Sequence, residues 1–196
     1  MDKKYIIIIV VVFIVLLLLC CCSVAAGIVI YYASSSTSSS TDTKDTTQVD
    51  SKSETSYVNG VNVEVYDIEG NGNFKTSKET FVYAGDIWLS DADGAKFFGK
   101  YDENFGLKFT GYIKVPVGTH TFIVGHDDGA TFTIGDKTQE SWKPTEYIED
   151  IKLETISTTE QYMPMELKFF ELGGQGKVTL KMDGEKLPAS RLYIKK

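Results

Sequence analysis

Residues 119–136 read THTFIVGHDDGATFTIGD. Phe122 and Val124 before the acidic pair, and Phe132 and Ile134 after it, are each spaced by two, the period of a half-buried β-strand. Between them, Asp127-Asp128-Gly129 has the chemistry of a hairpin turn, since glycine accepts positive φ and aspartate bonds its own backbone. Local grammar therefore predicts two strands joined at the acidic pair, with His126 a turn residue whose ring faces solvent. A second use of the pair is possible. Adjacent carboxylates repel unless something compensates them, and calcium, which takes about six to eight oxygen donors, would do so. Successive side chains of a regular strand point to opposite faces, so one ion could reach both only through a distorted link.

Working outward, the same short apolar runs recur: VNVEVYDI (61–68), ETFVYAGDIWL (79–89), GLKFTGYIKVPV (106–117), MELKFFEL (165–172), KVTLKM (177–182) and SRLYI (190–194). Turn residues such as GGQG (173–176) and DGEK (183–186) separate them. This punctuation predicts an all-β domain, an antiparallel sandwich or barrel, over residues 57–196. Spacing by two assigns Tyr112, Phe122, Val124, Phe132, Ile134, Leu167, Phe169, Val178 and Leu180 to the inner face. Trp88 and Trp142 have two readings, as core anchors or as exposed stacking surfaces for a sugar.

The other end of the chain is different in kind. Residues 5–32 contain no charge, long enough for a transmembrane helix. Lys3 and Lys4 precede this span and the next basic residue is Lys44, which predicts a cytoplasmic tail (1–4) and a single-pass, N-in protein. The β-domain would then lie outside the cell or on an outer or lumenal face. Small residues at 24–26 also suit a cleaved signal peptide, but the apolar run exceeds an ordinary signal core and continues past them, which favours an uncleaved anchor. Residues 33–56, with 15 of 24 positions Ser or Thr, read as a disordered stalk because nothing there can offset the entropy of ordering by burial.

Composition narrows the function. All three cysteines, at 20–22, fall within the apolar span, so the external part has neither disulfide nor thiolate metal site. Without Asp2, Lys3 and Lys4 the chain carries 18 basic and 26 acidic residues, a net charge of −8 that disfavours nucleic acid. The two histidines, His120 and His126, stand in no nucleophile or zinc pattern, and no phosphate-cradling loop opens a helix. The expectation is a binding protein, not an enzyme.

The segment DENFGLKFTGYIKVPVGTHTFIVGHDDGATFTIGDK (102–137), then Trp142 and PMELKFFELGGQGKVTLKM (164–182), resembles the PA-fourteen domain, a β-module of toxins, yeast adhesins and bacterial glycosidases. The resemblance runs from about Gly60 to Met182. One departure is Gly135-Asp136, where the family usually has Asp-Gly. In sugar-binding members the acidic pair is joined by a cis peptide and holds a calcium ion that binds sugar hydroxyls. The resemblance thus implies Asp127, Asp128 and Glu171 as calcium ligands. It implies Gly173, Gly174, Gln175 and Gly176 as a sugar-facing loop, and His126, Gly129 and Trp142 are further candidate ligand contacts. The function so implied is calcium-dependent carbohydrate recognition, lectin- or adhesin-like, with glycans as partners. The alternative is a structural or protein-binding domain of a surface layer, envelope or virion without a glycan ligand.

Overall fold

A computed structural model describes residues 55–70 and 72–196. The expected tail (1–4), membrane span (5–32) and stalk, up to residue 54, lie outside the described residues. No helix among those described is long and apolar enough to cross a membrane.

Eleven strands are present among the described residues: β1 (Tyr57–Asn59), β2 (Val61–Glu69), β3 (Asn73–Tyr83), β4 (Trp88–Ser90), β5 (Phe105–Val115), β6 (Gly118–Ile134), β7 (Lys137–Ser157), β8 (Gln161–Glu171), β9 (Lys177–Met182), β10 (Glu185–Lys186) and β11 (Leu192–Lys195). All pairings are antiparallel and link the strands into one continuous sheet, so the expected all-β antiparallel class holds. The centre is β5, paired along its whole length with β8 and flanked on its other edge by β2 and β11.

The sheet folds on itself through β6. Residues 122–126 of that strand pair with β9, whereas residues 129–134 pair with β8. Its long partner β7 follows it through both halves, with register shifts at Val124/His126 and His126/Asp128. Extra residues on one strand bend a ladder and increase its local twist, and here they carry β6 from one set of partners to the other. The predicted turn at Asp127-Asp128-Gly129 is therefore corrected. The chain does not reverse there, because each half finds its own neighbour and the strand continues across the corner. The reversal comes at Gly135-Asp136, where Ile134 pairs with Lys137 across a two-residue hairpin.

Alternation fills the interior. Val61, Val63, Val65, Leu107, Phe109, Ile113, Phe122, Val124, Phe132, Ile134, Leu167, Phe169, Val178 and Leu180 are all buried in one core. Phe97, from the segment between β4 and β5, packs its ring 5.1 Å from Phe105 and 5.5 Å from Phe169. Of the expected inner positions only Tyr112 is displaced. The inner face of β5 carries the odd-numbered residues, so Tyr112 stands on the outer face, edge-on to Tyr57 at 5.2 Å. A one-residue slip in phase moves a side chain to the opposite face.

This difference predicts unequal losses. Phe109→Ala should destabilise the protein by about 3–5 kcal/mol. Tyr112→Ala should cost about 1 kcal/mol, the scale of an aromatic pair at a partly open surface. Urea denaturation of both variants checks this, and equal losses would contradict the assigned faces.

Candidate functional site

Two crossings meet at one place: β6 changing partners at residues 126–129, and the link 172–176 carrying the chain from β8 to β9. Asp128 joins them. Its φ is +66°, a left-handed conformation that aspartate tolerates better than most residues, and its Oδ2 accepts a hydrogen bond from Leu172 N at 2.5 Å. Its own N–H donates to Asp127 Oδ1 at 3.0 Å. There is no cis peptide among the described residues, so the expected cis bond between the aspartates is also corrected. The distortion that the adjacent carboxylates require comes from a left-handed trans residue.

Glu171, the last residue of β8, is fully buried. Its Oε1 accepts from Gly173 N at 2.9 Å, while its Oε2 has no partner. Burial pushes its carboxyl up to about 9, helped by the charge of Asp128 and by that of Asp91. Asp91, just after β4, is 7 % exposed and neither of its side-chain oxygens has a partner. Its backbone N–H donates to Gly176 O at 3.2 Å, which fixes the residue against the 172–176 link. Burial raises the Asp91 carboxyl, and Asp102 and Asp127 add to the effect. Asp127 is raised mainly by burial as well. Sparse hydrogen bonding in a buried acid cluster costs free energy unless a proton or a cation satisfies the oxygens.

Two glycines make room for this arrangement. A Cβ on Gly129 would stand 2.3 Å from the Phe170 ring, and one on Gly176 would stand 2.4 Å from Glu171 Oε2. Trp142, opposite Gly129 in the ladder, is 46 % exposed and lies edge-on to Phe170 at 6.2 Å.

Asp127 opens into a cleft of about 590 Å³ that Trp88, Ser90, Tyr147, Gln175 and Lys177 also line. Strand alternation explains the lining. Val178 and Leu180 point into the core, so Lys177 and Thr179 occupy the opposite face of β9, beside Trp88 and Ser90 of β4. The Tyr147 hydroxyl lies 2.8 Å from Thr179 Oγ1 and donates to Glu149 Oε1 at 2.8 Å, and burial raises this phenol to about 12.

The structure thus brings Asp127, Asp128, Glu171, Gly173 and Gln175 to one corner. It does not bring all the expected contacts there. His126 is fully buried, not in solvent as a turn residue would be, because it shares the inward phase of Val124. Its Nε2 lies 3.0 Å from Asp150 Oδ1, and Ser141 Oγ donates to Asp150 Oδ2 at 2.6 Å. Burial opposes ionisation of Asp150, but the hydrogen bonds from Ser141 and His126 hold its carboxyl below the usual range. Trp142 and Gly129 flank the corner through Phe170 and do not line the Asp127 cleft. Gly174 is exposed at the tip of the link. Asp91, Tyr147 and Lys177 escape sequence reasoning, for DADG (91–94) reads as an ordinary turn and lysine on a strand reads as solvated surface.

Whether a metal fits can be asked of the donors. They are hard carboxylate oxygens, three of them buried without partners, and oxygen donors of this kind suit calcium. Among the described residues no three acidic, histidine or cysteine side chains converge into a ready ion-holding group. The donor chemistry fits calcium, without a preformed cage among the described residues.

Fold and corner together define a β-module that gathers acids where its sheet turns over. The model of the PA14 domain matches residues 57–188, and the chain belongs to that family. No curated protein matches the sequence. Among solved structures, the PA14 domain of the MpAFP antifreeze protein is 21% identical, with a TM-score of 0.54 over 76% of this chain and 96% of that one. The PA14 sugar-binding domain from an RTX adhesin is 17% identical, with a TM-score of 0.51 over 70% and 99% of the two chains. The A domain of epithelial adhesin 9 from Candida glabrata, in complex with Galb1-4GlcNAc, is 15% identical, with a TM-score of 0.54 over 70% and 90%. At these identities the likeness is one of fold.

A pH dependence follows for the ion-free protein. Unfolded, Glu171 ionises near pH 4.3; folded, it keeps its proton to about 9. A raised carboxyl contributes stability that is complete below the unfolded value and is lost as pH rises through the folded one. Glu171→Gln removes that loss. In chelator, its stability relative to wild type should therefore improve steadily from about pH 5 to about pH 9. Urea midpoints across the range measure it, and a constant difference would show that Glu171 ionises normally.

Proposed function

We propose that this chain is a membrane-anchored, surface-displayed module that binds carbohydrate with calcium at the Asp127–Asp128 corner, without catalytic turnover. The observation that carries the reading is the set of buried, unpartnered carboxylate oxygens of Asp91 and Glu171 beside an open cleft containing Asp127. The adhesin domains named above, one described as sugar-binding and one held with a disaccharide, support the ligand class on a shared fold. The apolar span 5–32 and the Ser/Thr-rich stretch after it support display at a distance from a membrane.

In this reading Asp127, Asp128, Glu171 and Asp91 would hold the ion by drawing together around it, since no three of them converge without it. Bound calcium would offer open coordination positions to vicinal hydroxyls. Asp128 also ties the 172–176 link to the corner through Leu172 N, and Gln175 of that link lines the cleft, so Gly173, Gly174 and Gln175 would form its sugar-facing rim. Trp88, 40 % exposed, supplies an apolar wall. Carbohydrate rings present an apolar face as well as hydroxyls, so such sites combine a flat ring with a few oriented polar groups.

Calcium at a hundredfold excess over its Kd should stabilise the folded protein by about 2.7 kcal/mol. Asp127→Ala and Asp128→Ala should each abolish that gain. Thermal melts with and without calcium, followed by a glycan array in calcium and in chelator, provide the test. No calcium-dependent stabilisation together with no glycan retained would sink the reading in favour of a structural or protein-binding domain.

A further inference from the structure

The Asp127 cleft is not uniformly acidic. Three lysines approach it from β9 and β10. Lys181 is paired with Glu149 at 2.7 Å, and Lys186 with Asp86 at 2.6 Å. Lys177 lines the cleft itself and makes no ion pair among the described residues. Its Nζ sits 4.0 Å above the centre of the Tyr147 ring, which holds the ammonium at the cleft wall without neutralising it. Glu149, whose carboxylate feels the Lys177 charge, is already engaged by Lys181 and by the Tyr147 hydroxyl. Trp88 and Ser90 stand across the ladder from Thr179 and Lys177. One face of the cleft therefore carries a flat apolar ring and a cation outside ion-pair contact among the described residues, in a domain whose net charge is strongly negative.

Charge left without an ion pair at the wall of a cleft is informative because the next outward lysine of β9, Lys181, is paired. We infer that the cleft selects acidic saccharides, those bearing a carboxylate or sulfate, with Lys177 contacting the anionic group and the Trp88 indole stacking on the sugar ring. This rests on the carbohydrate reading above and adds the ligand class. Lys177 is separate from the carboxylates assigned to the ion, so the two contributions can be told apart. An ion at Asp127 alone would bind hydroxyls of neutral and acidic sugars through the same atoms. Lys177 distinguishes them by charge.

The experiment is an array of paired neutral and uronate-, sialate- or sulfate-bearing glycans, probed in calcium with the full chain and its Lys177→Gln, Lys177→Arg and Trp88→Ala variants. Lys75→Gln, at a lysine on β3 paired with Glu69, is the charge control. Wild type should prefer the acidic member of a pair by about tenfold, the effect of one charge-assisted contact near 1.4 kcal/mol. That preference should shrink as salt rises. Lys177→Gln should collapse the ratio towards one, Lys177→Arg should keep it, and Lys75→Gln should leave it unchanged. Trp88→Ala should weaken both members of each pair. Equal binding of neutral and acidic glycans by wild type, or a ratio indifferent to Lys177→Gln, overturns the inference while leaving carbohydrate binding intact. If wild type retains no glycan at all, the carbohydrate reading fails and this inference with it.

Discussion

The hydrogen bond from Leu172 N to Asp128 Oδ2 is the contact on which the corner depends. It joins the bend of β6 to the link between β8 and β9, two segments 44 residues apart in sequence. Both must leave the first set of strands and enter the second at the same height, or the two halves of the folded sheet cannot share one core. A carboxylate suits this role because it accepts strongly from backbone N–H groups. The left-handed backbone of Asp128 is unfavourable for a residue with a side chain, and it persists because neighbouring contacts fix it. Local strain and tertiary fit are thus coupled at a single residue.

The acid cluster follows from that geometry. Once Asp128 is drawn inward to hold the link, Glu171 at the end of β8 is buried beside it, and Asp91 is pinned nearby by its backbone contact with Gly176. Like charges crowded in low dielectric do not all ionise. In the ion-free protein burial and the Asp128 charge push the Glu171 carboxyl up to about 9, favouring its protonated form. Its alternative is a cation, which would compensate several carboxylates at once.

The class of fold was legible because strand alternation and glycine punctuation are local signals, and inner-face positions on β6, β8 and β9 could be read from spacing alone. The acidic pair was legible as special, but not as a strand crossing. Nothing within VGHDDGATF distinguishes a chain that reverses from one that changes partners, since that depends on Val178 and then Phe170 following one another along the edge of β6 opposite β7. β7 was hidden for a related reason. Its sequence is rich in Glu, Lys and Thr and lacks apolar runs, and among the described strands β7 pairs with β6 alone. Asp91 was illegible for a third reason: an unpartnered carboxylate is defined by what fails to surround it, and only the folded chain shows that.

Lys177 completes the physical picture by contrast with its neighbours. On a β9 strand whose alternate residues fill the core, each outward lysine could have been matched with an acid, as Lys181 is. Matching Lys177 in the same way would put another carboxylate beside Asp127, raising the cost of a cluster that already resists ionisation. Resting the ammonium on the Tyr147 ring avoids that cost, because the attraction of a ring face adds no negative charge. The tyrosine itself is held by Thr179 and Glu149, so the cation has a fixed seat. A cleft that keeps a positive group on one wall and acids on another is polarised across its width. On the proposed function, such a site would orient a ligand as well as hold it, with an anionic substituent and a pair of hydroxyls at opposite walls.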